Sequence, residues 1–246
     1  MITHVKSNLK RVRCYHIKNS LESLLQKAED SSYSYLEFLN QLLLQETEKR
    51  NQTRINRYMK SAKFPSIKVF DEFDFKYQHS VTQRQINNWK ELVWLDNREN
   101  KIFMGPPGVG KTHLAISCGF TAIQKGYKVR YYTLNNLVDE LLLADFERRL
   151  KEELKIISKN DLLIIDELGF LPMNPKQSNL LFQLINRFYE HKSIIITSNK
   201  MFTEWGSTFG DQVLVTAILD RLLHHSETII MEGDSYRLKD KLKKND

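Results

Sequence analysis

Three regimes of hydrophobic patterning follow one another along the chain. In the first, Leu21, Leu24, Leu25, Tyr35, Leu36, Phe38, Leu39, Leu42 and Leu43 recur at the spacing of a helix face. No glycine or proline interrupts residues 1–64. A polar, charged run, QETEKRNQTRINRYMKSAK, then continues to residue 63 and is also compatible with a helix. Phe64-Pro65 closes it, because proline has no amide hydrogen and disfavours helix one residue earlier. The pattern predicts a small all-α N-terminal domain over residues 1–66.

The second regime, residues 67–100, scatters Phe70, Phe73 and Phe75 before a helix-like stretch through Trp89, Leu92, Val93 and Leu95. It is expected to be a connector that becomes the outer part of the third regime. From Lys101 onward short apolar runs alternate with helix-length segments. Strands are predicted over 102–104, 129–133, 162–166, 193–197 and 228–231. Strand–helix alternation predicts an α/β domain over residues 67–246, a parallel sheet flanked by helices. Neither repeats nor low-complexity segments occur.

Composition narrows the class. The 246 residues suffice for one α/β domain and a small appendage. Hydrophobic content is 41% and charged content 27%, as in soluble globular proteins. No apolar run reaches the roughly 18 residues of a membrane span, and the basic N-terminus lacks the apolar core of a secretory signal. A cytoplasmic protein with no membrane partner is expected. Cys14 and Cys118 form neither a disulfide framework nor a zinc pattern, and adjacent His224 and His225 are read as a helix edge. The net charge of +7 points to an acidic partner, for which nucleic acid is the usual candidate.

The densest chemistry lies at Gly105, Pro106, Pro107, Gly108, Val109, Gly110, Lys111 and Thr112, GPPGVGKT, which fits G-x-x-x-x-G-K-[ST]. Glycines at this spacing let successive N–H groups turn inward around phosphate oxygens. Lys111 supplies a charge for the β- and γ-phosphates, Thr112 can ligate Mg²⁺, and the helix N-terminus running on to His113 favours the same anion. An apolar strand before the loop and a buried-helix pattern after it give the context this mechanism requires.

LLIIDE, residues 162–167, is an apolar strand ending in two carboxylates, where open α/β sheets place ligands. Asp166 can hold Mg²⁺; Glu167 can polarise an attacking water as general base. A parallel run ends at Asn199, suited to orient water or sense the γ-phosphate. Arg221, in the otherwise apolar AILDRLL, needs a partner: an acid such as Asp220, or the nucleotide of a neighbouring subunit. Arg237 is a second candidate phosphate sensor. Arg148, Arg149, Lys151 and Lys155 lie among acids within 135–160, and Arg54, Arg57 and Lys60 end the N-terminal region; both groups are candidates for DNA phosphates.

With these residues in place, the chain resembles the AAA+ helper ATPases of insertion sequences, the IstB type, relatives of the bacterial helicase loaders. The resemblance is carried by GPPGVGKT, LLIIDELGFLP, ITSN, and above all TEWGSTFGDQVLVTAILDRLLHHS (203–226) followed by GDSYRLK (233–239), and it covers nearly the whole chain. It implies a P-loop AAA+ core binding ATP and Mg²⁺, with Lys111 and Thr112 as the Walker A pair and Asp166 and Glu167 as the Walker B pair. It implies Asn199 as sensor 1, Arg221 as a trans-acting finger and Arg237 as sensor 2. Some loaders carry a further arginine one turn before, where this chain has Ala217. The short stretch after Arg221 is expected to leave a vestigial or absent lid. Partners implied are double-stranded DNA bound largely without sequence preference, a transposase, and further copies of the chain joined across ATP sites. Two rivals are a replicative helicase loader acting on a helicase and single-stranded DNA, and a non-hydrolysing ATP-switched DNA scaffold.

Overall fold

The computed structural model describes residues 1–170 and 172–236. The chain divides into two compact units, Met1–Arg57 and Tyr58–Asp246.

The first unit contains α1 (Ile2–Arg11), α2 (Tyr15–Asp30) and most of α3 (Tyr35–Ala62). The leucine-bearing run and the charged run after it form one uninterrupted α3. Straight-chain Glu, Gln, Lys and Arg lose little rotamer freedom in a helix, so no apolar face is needed to continue it. Its start is set by Ser34 and Glu37: Glu37 N–H donates to the Ser34 hydroxyl at 3.3 Å, and Ser34 N–H to the Glu37 carboxylate at 2.8 Å. Ile17 and Leu21 of α2 are buried. Glu46 of α3 is buried too, accepting the Ile17 N–H at 2.9 Å and Arg50 Nε at 2.7 Å. The division between units falls inside α3 rather than at Ser66. Beyond it Ala62 is buried, and Phe64 meets Tyr131 edge-on with ring centroids 6.3 Å apart.

The second unit opens with α4 (Gln83–Glu91), started by a Thr82–Gln85 capping box, and α5 (Val93–Asp96). The alternating part follows: β1 (Asn100–Met104), α6 (Lys111–Gln124), β2 (Val129–Thr133), α7 (Leu134–Phe146), α8 (Leu150–Ile157) and β3 (Leu162–Leu168). It continues through α9 (Pro175–Phe188), β4 (Ser193–Ser198), α10 (Trp205–Phe209), α11 (Gln212–Leu223) and β5 (Ser226–Ile230). All strand pairs are parallel, in the order β2-β3-β4-β1-β5. β1, and all of β3 except Glu167, are buried, as expected for strands covered on both faces. Consecutive β2 and β3 pair, whereas β1 is reached from both sides by later strands. The carboxyl ends of β1, β3 and β4 therefore lie side by side. Among the described residues no α-helix follows β5, and none is long and apolar enough to cross a membrane.

Candidate nucleotide site

β1 delivers the chain into a loop whose backbone only glycine tolerates at key points. Gly105 has φ +144°, and a Cβ there would lie 1.9 Å from the Met231 carbonyl oxygen. At Gly108, φ +85°, it would lie 2.1 Å from Ser235 Oγ. Gly110 caps α6, so Lys111 and Thr112 occupy its first turn. Lys111 Nζ donates to the carbonyls of Gly105 at 2.8 Å and Pro106 at 2.7 Å, which places the ammonium over the loop.

Asp166, at the end of β3, is buried against three hydroxyls. Thr112 Oγ1 donates at 2.9 Å to Oδ1 and lies 3.1 Å from Oδ2. Tyr131 donates to Oδ2 at 2.6 Å, and Thr197 Oγ1 donates to Oδ1. Burial and the neighbouring carboxylate push the Tyr131 phenol far above the ordinary tyrosine range, so it remains a proton donor at any physiological pH. Glu167 follows with φ +63°, within an irregularity of the β3–β4 ladder between Ile165 and Leu168. Such bulges re-aim a side chain; the Glu167 side chain is exposed while its N–H donates to Thr197 Oγ1 at 3.0 Å.

A cavity of about 680 Å³ joins these parts. The stretch from Pro107 to His113 lines it, together with Glu167, Thr197, Ser198 and Asn199. The His113 ring is engaged by the Val69 carbonyl at 2.9 Å and by Phe73 edge-on, with centroids 5.5 Å apart. The oxygen donors Thr112 and Asp166 suit a hard cation such as Mg²⁺. Phe73, Tyr77, Gln78 and Tyr236 also line this cavity. Tyr77 and Tyr236 meet edge-on at 5.3 Å, and Gln78 Nε2 donates to the carbonyls of Val109 and Glu232 at 3.2 and 3.1 Å.

Arg221 is absent from this lining. Its Nε donates to Asn186 Oδ1 at 2.9 Å, its Nη1 to the Ala217 carbonyl at 2.8 Å, and its guanidinium lies 4.8 Å from the Phe182 ring centroid. Its side-chain partner here is thus an amide and an aromatic face rather than Asp220. Arg237 lies outside the described residues. Arg149 is paired with Glu147 and, at 2.7 Å, with Glu153, while Arg148, Lys151 and Lys155 are exposed, as are Arg54, Arg57 and Lys60 of α3. His224 and His225 follow α11, where Glu190 joins them: ligand atoms of the three exposed residues lie within 4.8 Å of one another.

Residues 7–244 match a family model described as IstB-like ATP binding protein. The chain is 45% identical over 235 residues to the ATP-binding protein of insertion sequence IS21 from Pseudomonas aeruginosa, covering 96% of this chain and 89% of that one. It is 47% identical over 219 residues to its counterpart in insertion sequence IS5376 of Geobacillus stearothermophilus, covering 89% and 87%. Among solved structures, a DNA replication initiation factor superposes with a TM-score of 0.56 at 24% identity, over 74% of this chain and 55% of that one. The DnaC helicase loader does so with 0.51 at 20%, over 72% and 99%. At such identities the structural likeness shows the fold, an AAA+ P-loop core.

Proposed function

The chain belongs to the IstB-like ATP-binding family, and from that premise we propose that it is an ATP-hydrolysing helper of transposition. In this reading it assembles on duplex DNA and acts with a partner transposase. The observation that carries the reading is the convergence at one cavity of the glycine loop, Thr112 with Asp166, and the exposed carboxylate of Glu167. Mg²⁺, when held by Thr112 and Asp166, offsets charge on the phosphates. Lys111 exchanges its two loop carbonyls for phosphate oxygens, a stronger charge-assisted pairing. Glu167 accepts the proton of the attacking water, and Asn199, which lines the same cavity, orients that water. Arg221 does not line the cavity of its own chain, which agrees with a role at a neighbour's site; sharing sites in this way makes assembly nucleotide-dependent.

DNA contact through exposed lysines and arginines of α3 and α8 is mainly to phosphates, giving weak sequence preference and strong salt dependence. The test is light-scattering mass with duplex DNA under ATP, ADP and no nucleotide. A large defined species in ATP alone is expected. Glu167→Gln should retain it while phosphate release falls at least about 100-fold, and Lys111→Ala should lose it. Full-size assembly by Lys111→Ala would refute nucleotide gating. Single-stranded DNA outcompeting duplex would favour the helicase-loader rival.

A further inference from the structure

Resting on the ATPase reading above, we propose that Thr197, supported by Tyr131, is a positioning residue that sets the metal-holding carboxylate and the water-polarising carboxylate in one geometry. Thr197 is buried near the end of β4, two residues before Asn199, and is among the residues lining the cavity. Its hydroxyl has one proton and two lone pairs. The proton goes to Asp166 Oδ1, and a lone pair accepts the Glu167 N–H at 3.0 Å. A single atom therefore touches both functional residues in opposite hydrogen-bonding senses.

Two features of the surroundings give that atom its leverage. Glu167 adopts φ +63°, a left-handed conformation that non-glycine residues keep only where neighbours hold them. The Thr197 hydrogen bond is made to its backbone at that point, within the β3–β4 irregularity. Of the three hydroxyls on Asp166, Thr112 belongs to the glycine-loop motif and is the one that would hold the cation with it. Tyr131 on β2 and Thr197 on β4 come from the sheet and hold one carboxylate oxygen each. Outer partners of metal-binding carboxylates commonly govern affinity or activity by about 10- to 100-fold.

The full-length protein is titrated with Mg²⁺ while a fluorescent ATP analogue reports binding, and phosphate release is measured in parallel. Thr197→Val removes the hydroxyl at constant volume. It is expected to raise the Mg²⁺ concentration for half-maximal binding about 10-fold and to lower kcat about 10- to 100-fold. Thr197→Ser, which keeps the hydroxyl, restores both. Tyr131→Phe, touching Asp166 alone, shifts the Mg²⁺ requirement more than kcat. A Thr197→Val protein with a lowered Tm but wild-type Mg²⁺ requirement and kcat means a merely structural role and overturns the proposal. Should that variant not fold, Thr197→Ala and Tyr131→Phe carry the same comparison. A Mg²⁺ requirement that depends on Asp166 (tested by Asp166→Asn) but not on Thr197 or Tyr131 overturns this inference alone. Wild-type protein that binds no nucleotide with Mg²⁺ overturns it together with the ATPase reading.

Discussion

The two compact units hold themselves together by different means. In the second, Leu163, Ile165, Leu184, Phe188 and Ile196 belong to one continuous buried cluster around the sheet. In the first, Ile17 and Leu21 are the buried apolar side chains among the described residues, while Tyr35, Leu36, Leu39 and Leu43 of α3 lie exposed. There α2 is joined to α3 largely by Glu46, which collects an amide and a guanidinium, with the Ser20 hydroxyl on Gln45 at 2.8 Å beside it. Burial is non-directional and scales with area, whereas hydrogen bonds are directional and add little net stability unless broken. The second unit should therefore answer to packing, and the helical unit to charge and pH.

The sharpest way to break this contrast is Leu163→Ala. The side chain is fully buried, and the change should cost the second unit about 2–5 kcal/mol, read as a lowered thermal transition. Amide exchange in α2 and the first half of α3 should stay as in wild type. An equal rise in exchange there would mean that the units share one cooperative transition.

Next in size is Glu46→Ala, which leaves the buried Ile17 N–H without its acceptor. A loss of about 1–3 kcal/mol confined to the first unit is expected, with nucleotide binding unchanged. Acid does the same by titration. Burial pushes the Glu46 carboxyl up, but the Ile17 N–H, the Arg50 guanidinium and the His16 charge outweigh it and hold it below the ordinary glutamate range. Its folded value is the lower one, so its stabilisation is complete above the unfolded glutamate pKa of about 4.3 and is lost as pH falls through the folded value. Helical circular dichroism and exchange in α2–α3 should weaken across that window in wild type, and in Glu46→Gln this acid-dependent component should be missing.

What the sequence made legible follows the same divide between local and distant. The glycine loop and the pair Asp166–Glu167 are contiguous runs at strand ends, so spacing and apolar context were enough to single them out. The five strands were readable as apolar runs, but their order was not, because β1 is flanked by strands that come later in the chain. Tyr131 and Thr197 look like ordinary strand residues until pairing brings β2, β3 and β4 together around Asp166. Tyr77 meets the carbonyl of Ser235 at 3.2 Å from 158 residues away, a juxtaposition no local pattern encodes. Arg221 advertised a need for a partner, yet Asn186 and Phe182 meet it only once α9 and α11 pack. Continuity of α3 was the reverse case: the apolar period stops, while helix propensity does not.

A smaller effect separates the units by their charges. Arg149 is committed to Glu147 and Glu153, so Arg149→Ala should disturb α8 more than DNA binding. Lys151→Ala and Lys155→Ala in the second unit, and the α3 variants Arg54→Ala and Arg57→Ala in the first, remove exposed charges. For every DNA phosphate no longer neutralised, the slope of log K against log salt should flatten by about 0.9. Fluorescence anisotropy on a duplex at several salt concentrations tells which unit carries the DNA: slopes that change only for the α3 set, or only for the α8 set, assign the binding to one side.

The smallest effect expected is also the most demanding test of the contrast. Leu39 is 51% exposed on α3, whereas Leu184 is fully buried on α9. Leu39→Ser should leave stability within about 0.5 kcal/mol of wild type, as surface substitutions usually do. The same change at Leu184 removes core packing and buries a hydroxyl, and should cost several times more. An exposed row of leucines is nevertheless unusual for a monomer, because large apolar patches tend to be covered. Thermal unfolding of Leu39→Ser at two protein concentrations addresses this directly. A concentration-independent transition matching wild type means that α3 presents the row to solvent. A loss of core size, growing with concentration, means that copies of the chain bury the row against each other. The first unit would then owe its stability to burial after all, supplied from outside itself.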